Sequence, residues 1–314
     1  LLRELCEAHG EEVVTAYMEH VLEDGAAAMG ELIAELPAGR HVMEDELDDG
    51  TPLRVAIWTE GDRIVVDFAG TGPRSPGNLN APRAVTRAAV LYALRTLVRR
   101  EIPLNEGCLR PVEIRIPNGS ILDPTPPHAV VGGNVETSMR LVDLVLGALG
   151  ACAASQGTMN NITFGAGDLA YYETVGGGAG AGPDFDGASA VHLHMTNTRI
   201  TDVEVIERRY PVIIRRFAIR RGSGGAGRHR GGDGIIREIE FLTSVEGGIL
   251  SEHRARGPFG LAGGASGQSG VNALTHDGVE TRMPARAAFT AGPGDVLRVE
   301  TPGGGGYGPV PEPG

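Results

Sequence analysis

Between Gly132 and Asn197 the chain gathers amides, hydroxyls, carboxylates and histidines among glycines, the equipment for orienting a polar substrate and moving protons. Gly132-Gly133-Asn134-Val135-Glu136-Thr137-Ser138 sets two glycines and an amide before a helix. Free backbone N–H groups there could hold an anion or a developing oxyanion, and Asn134 is the natural N-cap if the segment only starts a helix. Ala154-Ser155-Gln156-Gly157-Thr158-Met159-Asn160-Asn161 concentrates uncharged donors and acceptors, as a site for a neutral amide requires, although turn formation explains the same composition. His192-Leu193-His194-Met195-Thr196-Asn197 reads as a strand whose His192, His194 and Thr196 share one face. That spacing permits two metal ligands, with Glu136, Glu173, Asp184 or Asp186 to complete a site; hydrogen-bonded histidines at a cleft are the commoner outcome.

Other signals are weaker. Gly176 to Ala181 matches G-x-G-x-x-A after a strand, but Gly182-Pro183-Asp184 opens a loop where a crossover helix should follow, so a dinucleotide site is rejected. A loop whose backbone lies close to a ligand or partner is the simpler reading. Ser223 to Gly234 mixes Arg228, His229 and Arg230 with glycines and could bind a carboxylate or phosphate, or form a solvated turn. The chain has no G-x-S-x-G elbow, no H-E-x-x-H helix and no paired cysteines. All 28 of its basic residues are arginine, which excludes a phosphate-loop lysine, a Schiff-base lysine and a Ser/Lys dyad within it.

These groups need a body to hold them. With 314 residues, 41% of them hydrophobic, the chain can bury one large core or two modest ones. A net charge of −12 argues against nucleic acid or an anionic membrane as partner. Three scattered cysteines, Cys6, Cys108 and Cys152, fit a reducing, cytoplasmic compartment. No apolar run approaches the roughly 18 residues of a membrane span. Leu1 already lies in a helical pattern, the look of a chain with something missing upstream.

Helical spacing from Leu5 to Leu36 predicts one long helix, or two with a break near Gly10, stopped by Pro37-Ala38-Gly39. Leu53 to Ile57 and Ile64 to Phe68 flank a turn at Glu60-Gly61-Asp62 and predict a hairpin. A second helix presents Val85, Ala89, Tyr92 and Thr96 on its buried stripe, and a third carries Val135, Met139, Val142, Leu146 and Leu149. Strands are expected at 112–116, 171–175, 191–195, 212–219, 235–241 and 296–299, with glycine-rich connections. The fold class is α+β, with helices mainly in the first half and a glycine-rich, strand-dominated second half: a helical lead at 1–36, then a body at 40–314.

Taken in order, DFAGTGPRSPGNLNAP from Asp67, PLNEGCLRPVEI from Pro103, GGNVETS from Gly132, ASQGTMNN from Ala154, YYETVGGGAGA from Tyr171, HLHMTNTR from His192, SGGAGRHRGGDG from Ser223 and TPGGGGYG from Thr301 resemble the hydantoinase B/oxoprolinase family. The blocks cover nearly all of the chain beyond the first helix and correspond to the C-terminal portion of a B-type subunit. The resemblance implies work with a hydantoinase A-type partner that binds ATP, opening cyclic amides such as hydantoins or 5-oxoproline by phosphorylating the lactam oxygen. Some members instead carboxylate ketones such as acetone with ATP and a metal. Family subunits carry a further N-terminal region that holds a histidine/aspartate metal cluster, so any divalent-metal ligands are expected outside this chain. The chain is then a fragment or one piece of a split subunit. The resemblance places Gly133, Asn134, Gln156, Asn160, Asn161 and Asn197 on the substrate side, with Glu136, His192 and His194 as catalytic candidates and Glu136 as a general base.

Overall fold

A computed structural model describes residues 1–310; residues 311–314 of the expected body lie outside the described residues. The lead segment is two helices, α1 (Leu2–His9) and α2 (Glu11–Glu35), broken at Gly10, whose φ of 86° a glycine adopts without strain. The second half of α2 buries Gly25, Ala28, Met29, Leu32 and Ile33 against the body, and its middle is tied there by the Asn105 amide donating to Val21 O at 3.0 Å and by Arg110 beside Glu19 at 2.8 Å. At Gly25 a Cβ would stand 2.9 Å from the Asn105 side chain, so glycine lets the Glu106–Leu109 turn approach.

Three sheets follow. The first orders β1 (His41–Glu46), β2 (Pro52–Glu60), β3 (Arg63–Asp67) and β4 (Val112–Arg115), all antiparallel except the parallel β3–β4 pair. Helices α3 (Arg83–Leu97) and α4 (Ser138–Ala148) join it in one apolar core with Leu53, Val55, Ile64, Val66, Leu141 and Val145. All of α4 is buried, as expected of a helix with no polar face along most of its length. The second sheet runs β11 (Val279–Met283), β10 (Val271–His276), β13 (Val296–Glu300), β8 (Gly234–Phe241), β7 (Val212–Arg220). The third runs β12 (Arg286–Ala291), β9 (Val245–Leu250), β5 (Asn161–Ala166), β6 (Leu169–Thr174). Their apolar faces enclose a second core around Ile162, Phe164, Ile239, Phe241, Phe289 and Leu297. A short helix, α5 (Val203–Arg209), is capped by the Asp202 carboxylate. Among the described residues no helix is long and apolar enough to cross a membrane.

The α+β organisation and the helix-rich first half are therefore as expected, but three local expectations fail. Asn134 caps nothing: helical backbone already runs through Val131 and Gly132, Gly133–Thr137 form a π-helical turn leading into α4, and the Asn134 side chain is exposed. The buried face of α3 is Thr86, Ala89, Val90, Ala93 and Leu94; Thr96 is exposed and Tyr92 half-buried. Small residues on that face allow close packing on α4. The segment 191–195 is not a strand, because Val191 makes only an isolated bridge to Gly177 and His194 adopts φ 51°, a left-handed conformation that ends strand geometry.

Glycine loops after α4 interlock with one another largely through their backbones. Gly178 N donates to Pro302 O at 3.0 Å, Gly232 N to Ala179 O at 2.9 Å, Gly304 N to Gly232 O at 2.9 Å and Gly305 N to Ala154 O at 2.8 Å. A Cβ on Gly178, Gly180, Gly232 or Gly304 would stand 1.8–2.0 Å from a backbone oxygen. The close approach expected of the Gly176–Ala181 loop is thus an approach to the chain itself.

Candidate functional site

The seam between the two cores holds a buried polar cluster. Glu136, on the π-helical turn, is wholly buried. Its Oε1 accepts from the Asn161 side-chain amide at 2.7 Å and from the Met159 backbone N–H at 3.3 Å, while Oε2 has no partner. Burial pushes the Glu136 carboxyl well above the usual carboxylate range; nearby Glu252 adds to that push, while the Thr158 hydroxyl, the Met159 amide and Arg254 oppose it. A carboxyl in this state keeps its proton where a free one has released it.

Asn161 opens β5 and reads both sides of the seam. Its Nδ2 also donates to Leu250 O at 2.9 Å, and its Oδ1 accepts from the Tyr172 hydroxyl at 2.7 Å. Tyr172 is half-exposed, so the line Glu136–Asn161–Tyr172 runs from the buried carboxyl to the surface. Asn160, at φ 48°, donates from Nδ2 to Gln156 Oε1 at 2.9 Å and to Val175 O at 3.1 Å, and accepts from Arg254 Nη2 at 2.8 Å. Gln156 keeps an Nε2 with no partner.

A charged half of the cluster comes from the loop after β9. Glu252 N donates to Thr158 Oγ1 at 3.1 Å, and Glu252 Oε2 lies 3.5 Å from Arg140 Nη1. Burial lifts the Glu252 carboxyl to about 7 against the pull of Arg140. Burial also drives the His253 imidazole down to about 3, with Arg140 adding to the shift, so His253 is neutral over the physiological range. Arg140 donates from Nε to Asp45 Oδ2 at 2.9 Å, tying the cluster to β1. Arg254 spans Asn272, the Glu252 carbonyl and Asn160 at 3.0, 2.7 and 2.8 Å. Gly157, at φ 62°, leaves the space in which His253 lies; a Cβ there would be 2.7 Å from the imidazole.

Glu136, Gln156, Asn160 and Asn161 are thus brought together, with the buried Gly133 at the head of the same turn. A Cβ at Gly133 would sit 2.0 Å from Asn80 O, so that glycine serves packing. The other candidates are elsewhere. Asn134 and Asn197 are exposed. His194 Nε2 lies 3.0 Å from Asp143 Oδ1, which also accepts from Ser155 N at 2.9 Å, and its ring meets Tyr92 edge-on. His192 borders a separate cavity of about 200 Å³ with Phe217, Ile219 and Ile235; neither ring nitrogen has a partner, and burial lowers its basicity. The two histidines do not share a face, because the loop conformation at His194 turns them apart. Among the described residues no three His, Cys, Asp or Glu side chains gather as a metal site, so no metal-dependent step is assigned to them. The basic side chains of 223–234 are engaged internally: Arg228 donates to Pro183 O at 2.9 Å, Arg230 pairs with Asp233 at 2.6 Å, and His229 lies 3.4 Å from Asp186.

Arg140, Glu252, His253 and Arg254 escape a reading of motifs. Ser251-Glu252-His253-Arg254-Ala255-Arg256 looks like a solvated charge run after a strand, and the one available signal is that such a run stands directly before the Gly257-Pro258 turn.

The family profile described as hydantoinase B/oxoprolinase matches residues 1–310, so the likeness extends through the lead helices. The chain is 49% identical to 5-oxoprolinase 1 of Arabidopsis thaliana over 98% of its own length, and spans 26% of that relative. Among solved structures, the ATP-dependent caprolactamase of Pseudomonas jessenii superposes with TM-score 0.87 at 25% identity, covering 99% of this chain and 59% of that one. An acetone carboxylase structure free of nucleotide superposes with TM-score 0.84 at 16% identity, covering 98% and 50%, a likeness of fold alone.

Proposed function

Because the chain belongs to the hydantoinase B/oxoprolinase family, we propose that it is a component of an ATP-dependent enzyme that hydrolyses cyclic amides of the hydantoin or 5-oxoproline type. The observation that carries this reading is the 49% identity, across 98% of the chain, to a relative named 5-oxoprolinase 1. ATP is held by a hydantoinase A-type partner, and a divalent metal, where one is used, is held by the B-type region outside these residues.

The residues of this chain form a wall of the shared cleft. Tyr172 is the member that reaches the surface and can present its hydroxyl to a lactam; Asn161 fixes that hydroxyl, and Glu136 fixes Asn161. Glu136 is accordingly a positioning residue that stores a proton, in place of the general base expected of a free carboxylate. Opening a lactam generates an amine that must take up a proton, so a wall able to hold one is chemically apt.

The test is reconstitution with an A-type partner, following ATP hydrolysis and ring opening with 5-oxoproline, a hydantoin and caprolactam, and carboxylation with acetone and bicarbonate. Lactam-dependent ATP turnover with ring-opened product is expected. Bicarbonate-dependent turnover with acetone alone would replace the proposal with a ketone carboxylase. Full lactamase activity after combined substitution of Glu136, Asn161 and Tyr172 would leave this face an assembly surface.

A further inference from the structure

The helical lead carries an apolar groove that the described residues leave open. Leu2, Leu5, Val13, Val14, Tyr17, Met18, Val21 and Leu22 line a cavity of about 770 Å³ with His9 at one side. Tyr17 is 69% exposed and Met18 55%, unusual for large apolar side chains gathered in one place.

The pattern along α2 explains what is missing. Val14, Met18 and Val21 continue, at spacings of four and three, into Gly25, Ala28 and Leu32. The second half of that stripe is buried against the body, and in the first half Met18 and Val21 are exposed while Val14 is half-buried. One helix face therefore has an established interface at one end and an unpartnered continuation at the other. Spacings of this kind match an opposing helix packed along the stripe.

Charge selects the occupant. Residues 1–24 carry seven carboxylates against Arg3 alone among the arginines; Arg110 and Arg100 of the body pair with Glu19 and Asp24, which leaves Glu4, Glu7, Glu11, Glu12 and Glu23 for the rim. A second copy of this hairpin would set those carboxylates against their equals, a repulsive arrangement. The apolar faces of α3 and α4 are already buried, and α5 is a single short helix of seven residues. We propose that the α1–α2 groove docks a basic amphipathic helix, with an apolar stripe in the cavity and arginines or lysines over the acidic rim.

The probes are two synthetic peptides of about 18 residues, or about five helical turns, one built of leucine and arginine with an amphipathic pattern and the other of leucine and glutamate. Fluorescence anisotropy on the whole chain should show saturable, salt-sensitive binding of the Leu/Arg peptide and none of the Leu/Glu peptide. Met18→Asp should weaken binding by about tenfold or more, while Val279→Asp, at an exposed apolar residue on β11, should not. Glu7→Arg with Glu12→Arg should weaken binding of the Leu/Arg peptide and lower its salt sensitivity. These substitutions lie on exposed positions, so circular dichroism should remain that of the parent. Equal binding of both peptides, no binding, or indifference to Met18→Asp overturns the proposal, as does a concentration-dependent dimer that Met18→Asp dissociates, which would make a second copy the occupant.

Discussion

Substituting glutamine for Glu136 separates the buried carboxyl's hydrogen bonds from its titration. Glutamine retains an oxygen to accept from Asn161 and Met159 and fits the same volume, so near pH 5 its stability should lie within about 1 kcal/mol of the parent. The folded-state pKa of Glu136 is raised above the ordinary 4.5, so above that pH the native state still binds a proton that the unfolded chain has released. Stability of the parent must then fall as pH rises toward the folded pKa, by at most about 1.4 kcal/mol per unit. Glutamine does not titrate. From about pH 5 to about pH 7 the difference in unfolding free energy should therefore shift toward the variant, by up to about 3 kcal/mol. Urea unfolding of both proteins across that range, followed by far-ultraviolet circular dichroism, measures it. Contributions from His253 and Glu252 are common to both proteins and cancel to first order. A difference that stays constant with pH refutes the claim that burial holds this carboxyl neutral.

His253 should act with the opposite pH dependence: its pKa is depressed to about 3 from 6.5, so the parent loses stability as pH falls below about 6.5, and His253→Gln should gain on it by up to about 1.4 kcal/mol per pH unit in acid unfolding curves. Asn161→Leu removes the donors to Glu136 and Leu250 and the acceptor of Tyr172, and thermal or urea unfolding should register a loss of about 2–4 kcal/mol. Gly304→Ala, whose Cβ would fall 1.8 Å from Ala179 O, should fail to give soluble folded protein. Gly30→Ala, in an open stretch of α2, should raise stability by about 0.5–1 kcal/mol; equal behaviour of the two alanine variants would contradict the packing described here. In the reconstituted enzyme, Glu136→Gln should lower lactam turnover about tenfold or more without loss of the complex, read by steady-state kinetics beside sedimentation.

Periodicity carried the helices well because α2 and α4 bury faces that recur at helical spacing, and the break at Gly10 shows as a glycine between two such runs. The convergence of Glu136 with Gln156, Asn160 and Asn161 was legible because short polar motifs flank a buried helix. What closes the cluster was not. Glu252 meets Asp48, 204 positions away, and Arg140 meets Asp45, 95 positions away, pairings that no local pattern encodes. The histidine pair misled for a related reason. Alternation at His192 and His194 suits a strand, but the buried Asp143 holds His194 in a left-handed turn, a tertiary contact overriding a weak local preference.

The interlocked glycine loops also shape the molecule's response to temperature. They are held by peptide groups against peptide groups, with almost no hydrocarbon between them. Exposing apolar surface raises the heat capacity on unfolding, whereas exposing polar surface lowers it. This part of the protein thus adds less to the curvature of the stability profile than an equal area of the aliphatic cores. Cooling, which weakens hydrophobic burial, should leave the glycine loops comparatively unaffected, so that they are the last part of the molecule to feel the cold.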